Sequence, residues 1–548
     1  MELISQSVKR IMEGCKERAR DAGLCFEDET LEYIVTNRDL LELSPKLMIP
    51  TLYDYWVHDV EVLRGKGQYE LYPNNPFETV INTRPAISFY NDNNPDWLNV
   101  MIFYHVLGHI DFFQNNAYFR NTWDYDFAGQ ALADKRLIAK LRSEKGRWVD
   151  YIIEFSRGLD NIVGYHSELA KFDEPEQQQH SRALNYYFDI FLQEYKKVST
   201  SEYIKELDRY NETVQDNDSG GEEGFFSEIY AQYPEFESLM EKHYRDHKSK
   251  HYDLLQFILA NSEMLKKEEN AWMRSIIEIV RNTSLFFQPQ IRTKIMNEGW
   301  ASYWHEKLFL ADDRIGGHEV DFARVHSAVA SLPRVGLNPY ALGMRLFQYI
   351  EDLGNKGKYS IPFQQVLDTQ ARQKYDTGAN AGRKLIFDIR KQCSDFLFVD
   401  FFVEQEFIDM HKLFVTGRRL NAERMVWEYY VKSKDAGQYK QMIFNSMYHP
   451  PHIEIDAGKT KNDTLFLNHH FEGKPLVTEY IENTMLGIEY LWGAPVKLET
   501  SEVVSVSPGG KSVGGQIPPV ERPDDEPKIT WRRVEYTMKN RKLSKKEL

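Results

Sequence analysis

Two histidines stand four residues apart in FYHVLGHIDFFQNN, residues 103–116. On an α-helix that step is about 40° of rotation, so His105 and His109 face the same way, one turn apart. Paired imidazoles at this spacing are a common helical clasp for zinc. Asn116, eleven residues after His105, returns to within about 20° of it and shares the face if the helix runs that far. Asp111 points elsewhere and reads as a residue that caps or pairs locally. A second segment, KIMNEGWASYWHEKLF over 294–309, sets Glu298 and His305 seven apart, two turns along one face. Glu298 lies amid Met296, Trp300, Tyr303 and Trp304, where an unpaired carboxylate is costly to bury. A metal ion would remove that cost, and so would a basic neighbour such as Lys294, one turn earlier. Gly299, next in the chain, lets another helix or a metal approach closely.

The plain alternatives stay open at this level. An H-x-x-x-H pattern arises easily by chance, and both histidines could be satisfied core residues. Together, however, His105, His109 and Glu298 make a set of two histidines and one carboxylate. The set resembles the gluzincin arrangement, in which an H-E-x-x-H helix gives two ligands and a later E-G-W-A-type helix gives the third. That resemblance implies zinc as the cofactor and departs at one position. The general base that should follow the first histidine is Val106, and valine takes no proton from water. Other groups could assist: His305, His326, Tyr340 and Asn116 are the candidate catalytic residues, since a Tyr or His near a metal can stabilise an oxyanion. His326 also reads as a structural residue on an apolar stripe. Asn338 before Pro339 reads as ordinary helix capping. His166 with Glu168, and Glu268 with Glu269, are further possible bases that a solvated surface explains equally well. There is no G-x-x-x-x-G-K-[ST] and no strand-bounded G-x-G-x-x-G, and PGGKSVGG, with the G-x-S-x-G match it contains, reads as linker.

The elements that must carry these residues are mostly helical. The 548 residues, 42% hydrophobic and 14% aromatic, are enough for about three domains with large cores. Residues 1–210 read as helical throughout, including LEYIVTNRDLLEL, and helices resume at about 252. ETVQDNDSGGEEG, residues 212–224, holds five acidic residues and no basic one and reads as an exposed loop or linker. From about 386 the pattern alternates: DFLFVDFFV, KQMIFNSM, HIEIDAG, TLFLNHHF and VKLETSEVVSV read as strands, with one helix in LVTEYIENTMLGIEYLW. The expected fold is therefore mainly α: a helical domain over 1–385, a small α+β domain over 386–505, and a disordered Pro/Gly-rich and basic tail over 506–548. A net charge of −15 argues against general binding of nucleic acid. Cys15, Cys25 and Cys393 give no disulfide framework and no CxxC pair. The start reads as an amphipathic helix, and no run of about 18 apolar residues spans a bilayer. A cytoplasmic location is the expectation.

H-V-x-G-H-x-D-F-F-x-N-N, P-Q-x-x-T-K-x-M-N-E-G-W-A-S-Y-W-H and N-P-Y-A-L-G-x-x-L-F-x-x-I-E resemble the SpoVR family, named for stage V sporulation protein R. FVDFFVEQEFIDMHKLF and GIEYLWGAPVKLET extend the likeness, which covers roughly residues 5–500. The resemblance implies a role in spore cortex formation or in stress and stationary-phase physiology. It also implies company with a PrkA-type serine protein kinase and a von Willebrand-type partner. Two functional readings follow. One is a metal-dependent hydrolase built on His105, His109 and Glu298. The other is a non-catalytic regulator or scaffold, which Val106 favours.

Overall fold

The computed structural model describes the chain except residues 1, 5, 28, 37–78, 123–126, 164–181, 199, 216–220, 247–252, 422–425, 448–449, 461–462, 472–473 and 506–528. It is mainly α with a smaller α+β part. Residues 1–163 with 254–548 form one compact unit, and residues 164–253 form another. The second unit has its own aromatic core around Tyr187, Phe191, Phe225 and Phe236. The acidic stretch 212–224, expected to be an exposed loop or linker, lies inside that unit: 212–215 end helix Thr200–Gln215, 221–224 begin helix Gly221–Gln232, and 216–220 lie outside the described residues.

The first unit opens with a four-stranded sheet, a departure from the helices expected over 1–210. Strands β1 (Glu2–Leu3), β2 (Thr30–Val35), β3 (Thr79–Ile81) and β4 (Ala86–Asn91) are ordered β1-β2-β4-β3, with helix α1 (Gln6–Asp21) between β1 and β2. TLEYIV was expected to start a helix. Its Thr, Tyr, Ile and Val suit a pleated surface, and β2 pairs in parallel with β4, Thr30 opposite Ala86. That partner lies more than fifty residues away in the chain, so no local pattern announces it.

The helices that matter for function follow. They are α2 (Asp96–Asn115), α3 (Ala271–Arg292), α4 (Lys294–Leu310), α5 (Glu319–Ala330) and α6 (Pro339–Lys356), with α7 (Gly382–Gln392) and α8 (Asp395–Phe402) beyond them. Every residue of α2 from Asn99 to Phe113 is buried, as its apolar character on all sides requires. Helix α4 runs between α2 and α6 at backbone contact. A Cβ on Gly108 would lie 2.7 Å from the Ala301 Cα, and one on Gly299 would lie 2.3 Å from the Gly343 carbonyl carbon. Only glycine permits both crossings. Helix α6 starts where Asn338 Oδ1 accepts from the Tyr340 and Ala341 amides, with Pro339 in the first turn. Helix α4 is capped by Asp395, whose two oxygens accept from the Ile295 and Met296 amides, each at 2.8 Å. Asp111 pairs locally, as expected, through Asn115 Nδ2 at 3.5 Å, but its shorter contacts reach farther along the chain. It is fully buried and ties three segments together, accepting from the Cys25 amide at 2.7 Å, Trp300 Nε1 at 2.8 Å and Arg390 Nη2 at 3.3 Å.

Two segments expected to be strands are helices. DFLFVDFF forms α8, burying Phe398, Val399 and Phe402 at helical spacing. KQMIFNS lies in α9 (Ala436–Ser446), where Asp435 caps the first turn and Tyr439 and Ile443 face inward. Short apolar runs do not distinguish strand from helix by period alone. A hairpin of β5 (Val415–Asn421) and β6 (Val426–Ser433) separates them. A five-stranded sheet follows, ordered β11-β10-β9-β8-β7: β7 (His452–Ile455), β8 (Leu465–His470), β9 (Val496–Ser505), β10 (Ile529–Lys539) and β11 (Lys542–Glu547). Helix α10 (Thr478–Trp492) covers it, and the sheet shares a core with α3 and helix Trp148–Arg157. The boundary expected at 385/386 is thus no break between cores, because α7 to α9 belong to the core of α2, α4 and α6. Of the tail expected over 506–548, residues 506–528 lie outside the described residues, while the rest is not disordered but forms two strands. Val534, Tyr536 and Met538 alternate inward on β10, which pairs with β9, while the Lys-rich β11 forms the sheet edge, where charge discourages further pairing.

The crossings give a direct test. A Cβ on Gly343 would sit 2.1 Å from the Ile295 carbonyl oxygen. Gly343→Ala should therefore push α6 from α4 and cost ~1–3 kcal/mol, the usual range for overpacking, in urea unfolding. Wild-type stability in that variant would mean the helices do not touch there.

Candidate metal centre

His105 and His109 stand one turn apart on α2, both buried, and α4 brings Glu298 against them. Glu298 Oε2 lies 3.9 Å from His105 Nε2 and 3.6 Å from His109 Nε2. These spacings are too long for hydrogen bonds. They are close to the roughly 3.3 Å between ligand atoms around a tetrahedral zinc with bonds near 2.0–2.1 Å. Glu298 Oε2 is itself buried and receives no hydrogen bond among the described residues, an arrangement that costs energy unless a cation meets it.

The far side of each imidazole is also specified. His109 Nδ1 donates to Asn297 Oδ1 at 2.9 Å, which leaves the Nε2 lone pair directed at Glu298. His105 Nδ1 lies 2.7 Å from His305 Nδ1, and His305 Nε2 lies 2.8 Å from His326 Nδ1. His326 Nε2 in turn lies 3.7 Å from Glu306 Oε1. The row can run in either direction with every ring neutral; in one of the two, each donates outward, from His105 to His305 to His326, and the last N–H faces a carboxylate. This outward direction is the one that frees His105 Nε2 for a metal. Complete burial holds the His305 pKa well below that of a free imidazole. Burial also lowers that of His326, against the pull of Glu306.

A cavity of about 670 Å³ opens beside the ligands, lined by His105, Lys294, Glu298, His305, Asn338 and Tyr340 among others. Tyr340 lies over the His105 ring, with centroids 6.0 Å apart and planes 20° from parallel. Lys294 is exposed and forms no ion pair with Glu298, although the sequence offered it as the competing partner. His305 and His326 stand behind His105 as its hydrogen-bond row. Asn116 is not brought to the cluster. Helix α2 ends at Asn115, and the Asn116 amide donates to the Arg390 and Cys393 carbonyls at 2.7 and 3.0 Å. Val106 is fully buried in the core, turned away from the cavity. His166 and Glu168 lie outside the described residues, and Glu268 and Glu269 are exposed on a short turn beside α3. Asn297, Glu306 and Asp395 went unnoticed in the sequence. For Asn297 a signal existed, a polar residue beside Glu298 within an aromatic segment.

A family model described as SpoVR like protein matches residues 2–448, a span that holds every residue of this centre. The chain belongs to the SpoVR family. A family relative, the uncharacterized protein YcgB of Escherichia coli strain K12, is 26% identical over 345 residues. That alignment spans 58% of this chain and 58% of the relative's own length. No solved structure matches. Among the described residues no helix is long and apolar enough to cross a membrane.

The cap of α4 ties the centre to pH. Complete burial pushes the Asp395 carboxyl up to about 7, against the two amides it accepts from. An unfolded aspartate titrates near 3.9, so between about pH 4 and 7 the folded chain keeps a proton that the unfolded chain loses. This group's contribution to stability therefore falls as pH rises through that window and is flat above it. The stability difference between wild type and Asp395→Asn should shrink from pH 4.5 to 7 in urea titrations. A constant difference would contradict this protonation state.

Proposed function

We propose that His105, His109 and Glu298 bind a divalent metal, zinc first among candidates, and that the adjoining cavity carries out a metal-dependent hydrolysis. The observation that supports this reading is the pairing of two oriented imidazoles with a carboxylate oxygen that has no hydrogen bond. Helix α2 aims both Nε2 atoms at one point, and Asn297 and His305 hold the rings from behind. When bound, zinc supplies Lewis acidity. The chain's own groups do the rest. Tyr340 borders the ligands and can donate to an oxygen that gains negative charge. Lys294 offers a positive charge at the cavity to an anionic or carboxylate-bearing substrate, of the size of a peptide, amide or cell-wall precursor. The likeness to gluzincins extends to the ligand pattern alone, since Val106 supplies no base. The biological setting suggested by family membership is spore cortex formation or stationary-phase stress.

A second reading is a non-catalytic regulator acting beside a PrkA-type serine kinase and a von Willebrand-type partner. The β5–β6 hairpin favours it, because Trp427, Tyr429 and Tyr430 are exposed there on a two-stranded ribbon.

Metal content of untagged protein separates the readings. His109→Ala and Glu298→Gln should each lose the zinc held by wild type. Asn297→Ala should bind it ~10–100-fold more weakly while melting normally, the range seen when a residue orienting a ligand is removed. Val106→Glu should lower the melting temperature without creating peptidase activity, because it buries a carboxylate in the core. Unchanged metal content in all of the ligand variants would sink the metal-centre reading.

A further inference from the structure

The C-terminal sheet carries a second cluster of two histidines and a carboxylate, beyond the residues matched by the family model. Strands β7 and β8 pair antiparallel, with His452 directly opposite His470 and Glu454 opposite Asn468. Alternation along a strand puts these four on one face, while Ile453, Leu467 and His469 line a cavity on the other. The two rings lie 4.4 Å apart between centroids. Both turn Nε2 toward a single carboxylate: His452 Nε2 is 2.9 Å from Glu454 Oε1, and His470 Nε2 is 2.7 Å from Glu454 Oε2.

We propose that His452, Glu454 and His470 form a second metal site, open to solvent, for a late first-row divalent cation such as zinc, nickel or copper. Two imidazoles and a carboxylate are the donor set such ions take. Their ligand atoms all lie within 4.8 Å of one another. The pairing of the strands fixes this convergence in the backbone, so little side-chain freedom remains to be lost on binding. A metal takes the place of the imidazole N–H protons that now point at Glu454. Ligand atoms around the ion spread to roughly 3.3 Å, a few tenths of an ångström beyond the present contacts. The side chains can give that much, being 25%, 48% and 43% exposed for His452, Glu454 and His470. Three protein ligands leave at least one position for water or an outside donor. Strand β7 is the edge of its sheet, with β8 its neighbour, so a bound ion would also pin that edge.

The site is independent of the deep centre, and the test keeps the two apart. Full-length protein is stripped with chelator, dialysed against zinc and assayed for bound metal, with thermal melts recorded with and without zinc. Two backgrounds are used, wild type and Glu298→Gln. In both, the chain should hold one more equivalent of zinc than its His452→Ala, His470→Ala counterpart, and in the Glu298→Gln background zinc should raise the melting temperature only where the pair is intact. Glu454→Gln keeps the size of the side chain and should weaken zinc at this site by about tenfold or more. If the histidine pair can be removed in both backgrounds with no change in zinc stoichiometry or in the zinc-dependent melt, the cluster is a hydrogen-bonded His–Glu–His bridge and no metal site. Failure of the deep centre alone would show as loss of the equivalent sensitive to Glu298→Gln, with this one retained.

Discussion

The backbone contact of α4 with α2 on one side and α6 on the other is the constraint on which the centre depends. Gly108 against Ala301, and Gly299 against Gly343, leave no space for a side chain at either crossing. Helices this close bring the first turns of α4 within reach of the His105 and His109 rings. A normal separation of 8–10 Å between axes would leave a carboxylate as short as glutamate's little chance to reach both. Polar contacts then lock the crossing. Asp395 closes the N-terminus of α4, and on another face Trp300 donates to Asp111, which Arg390 also meets.

Such closeness has an electrostatic consequence. Asp111, Asp395 and Glu298 are all carboxylates placed among aromatic side chains, yet they are treated differently. Asp111 has an amide, an indole N–H and a guanidinium. Asp395 has two helix-start amides. Glu298 Oε2 has two imidazole nitrogens at distances that no hydrogen bond spans. Contrast Glu454 on the sheet surface, held at 2.9 and 2.7 Å by its two histidines. In the interior, neighbouring side chains and the Asn297 and His305 contacts keep the rings from closing on the carboxylate. On the surface, the partly exposed side chains close into hydrogen bonds.

The two-histidine clasp was legible because it is local: four residues of helix fix two rings regardless of what packs around them. The match between Glu298 and His305 was legible only in part. A spacing of seven puts both on one face but about 10 Å apart along the axis. They therefore meet different sides of His105, one at Nε2 and the other at Nδ1. Period alone could not assign one as ligand and the other as support. Asn116 failed for a related reason, since its place on the wheel assumed a helix that stops one residue short. The mainly helical character of the chain was readable from periodicity, whereas β2, β10 and β11 were not. Their charged and polar residues hide the alternation, and their stability comes from distant partners: β2 pairs with residues 86–91, and β10 with 496–505.

The placement of Val106 bears on what chemistry the fold can support. Val106 lies about 100° round α2 from His105 and about 60° from His109, the flank from which the glutamate of an H-E-x-x-H helix reaches a bound water. In this chain that flank of α2 is packed into the core, with Val106 fully buried. A carboxylate there would be surrounded by apolar side chains. Access to the ligands comes instead from the side walled by Lys294, Ala328, Val329 and the Leu337–Tyr340 turn. Any group that moves a proton to or from a bound molecule must therefore project from that wall or from the histidine row behind it. On the proposed hydrolytic reading, such a group belongs to the segment between His326 and Tyr340, while α2 supplies the two imidazoles.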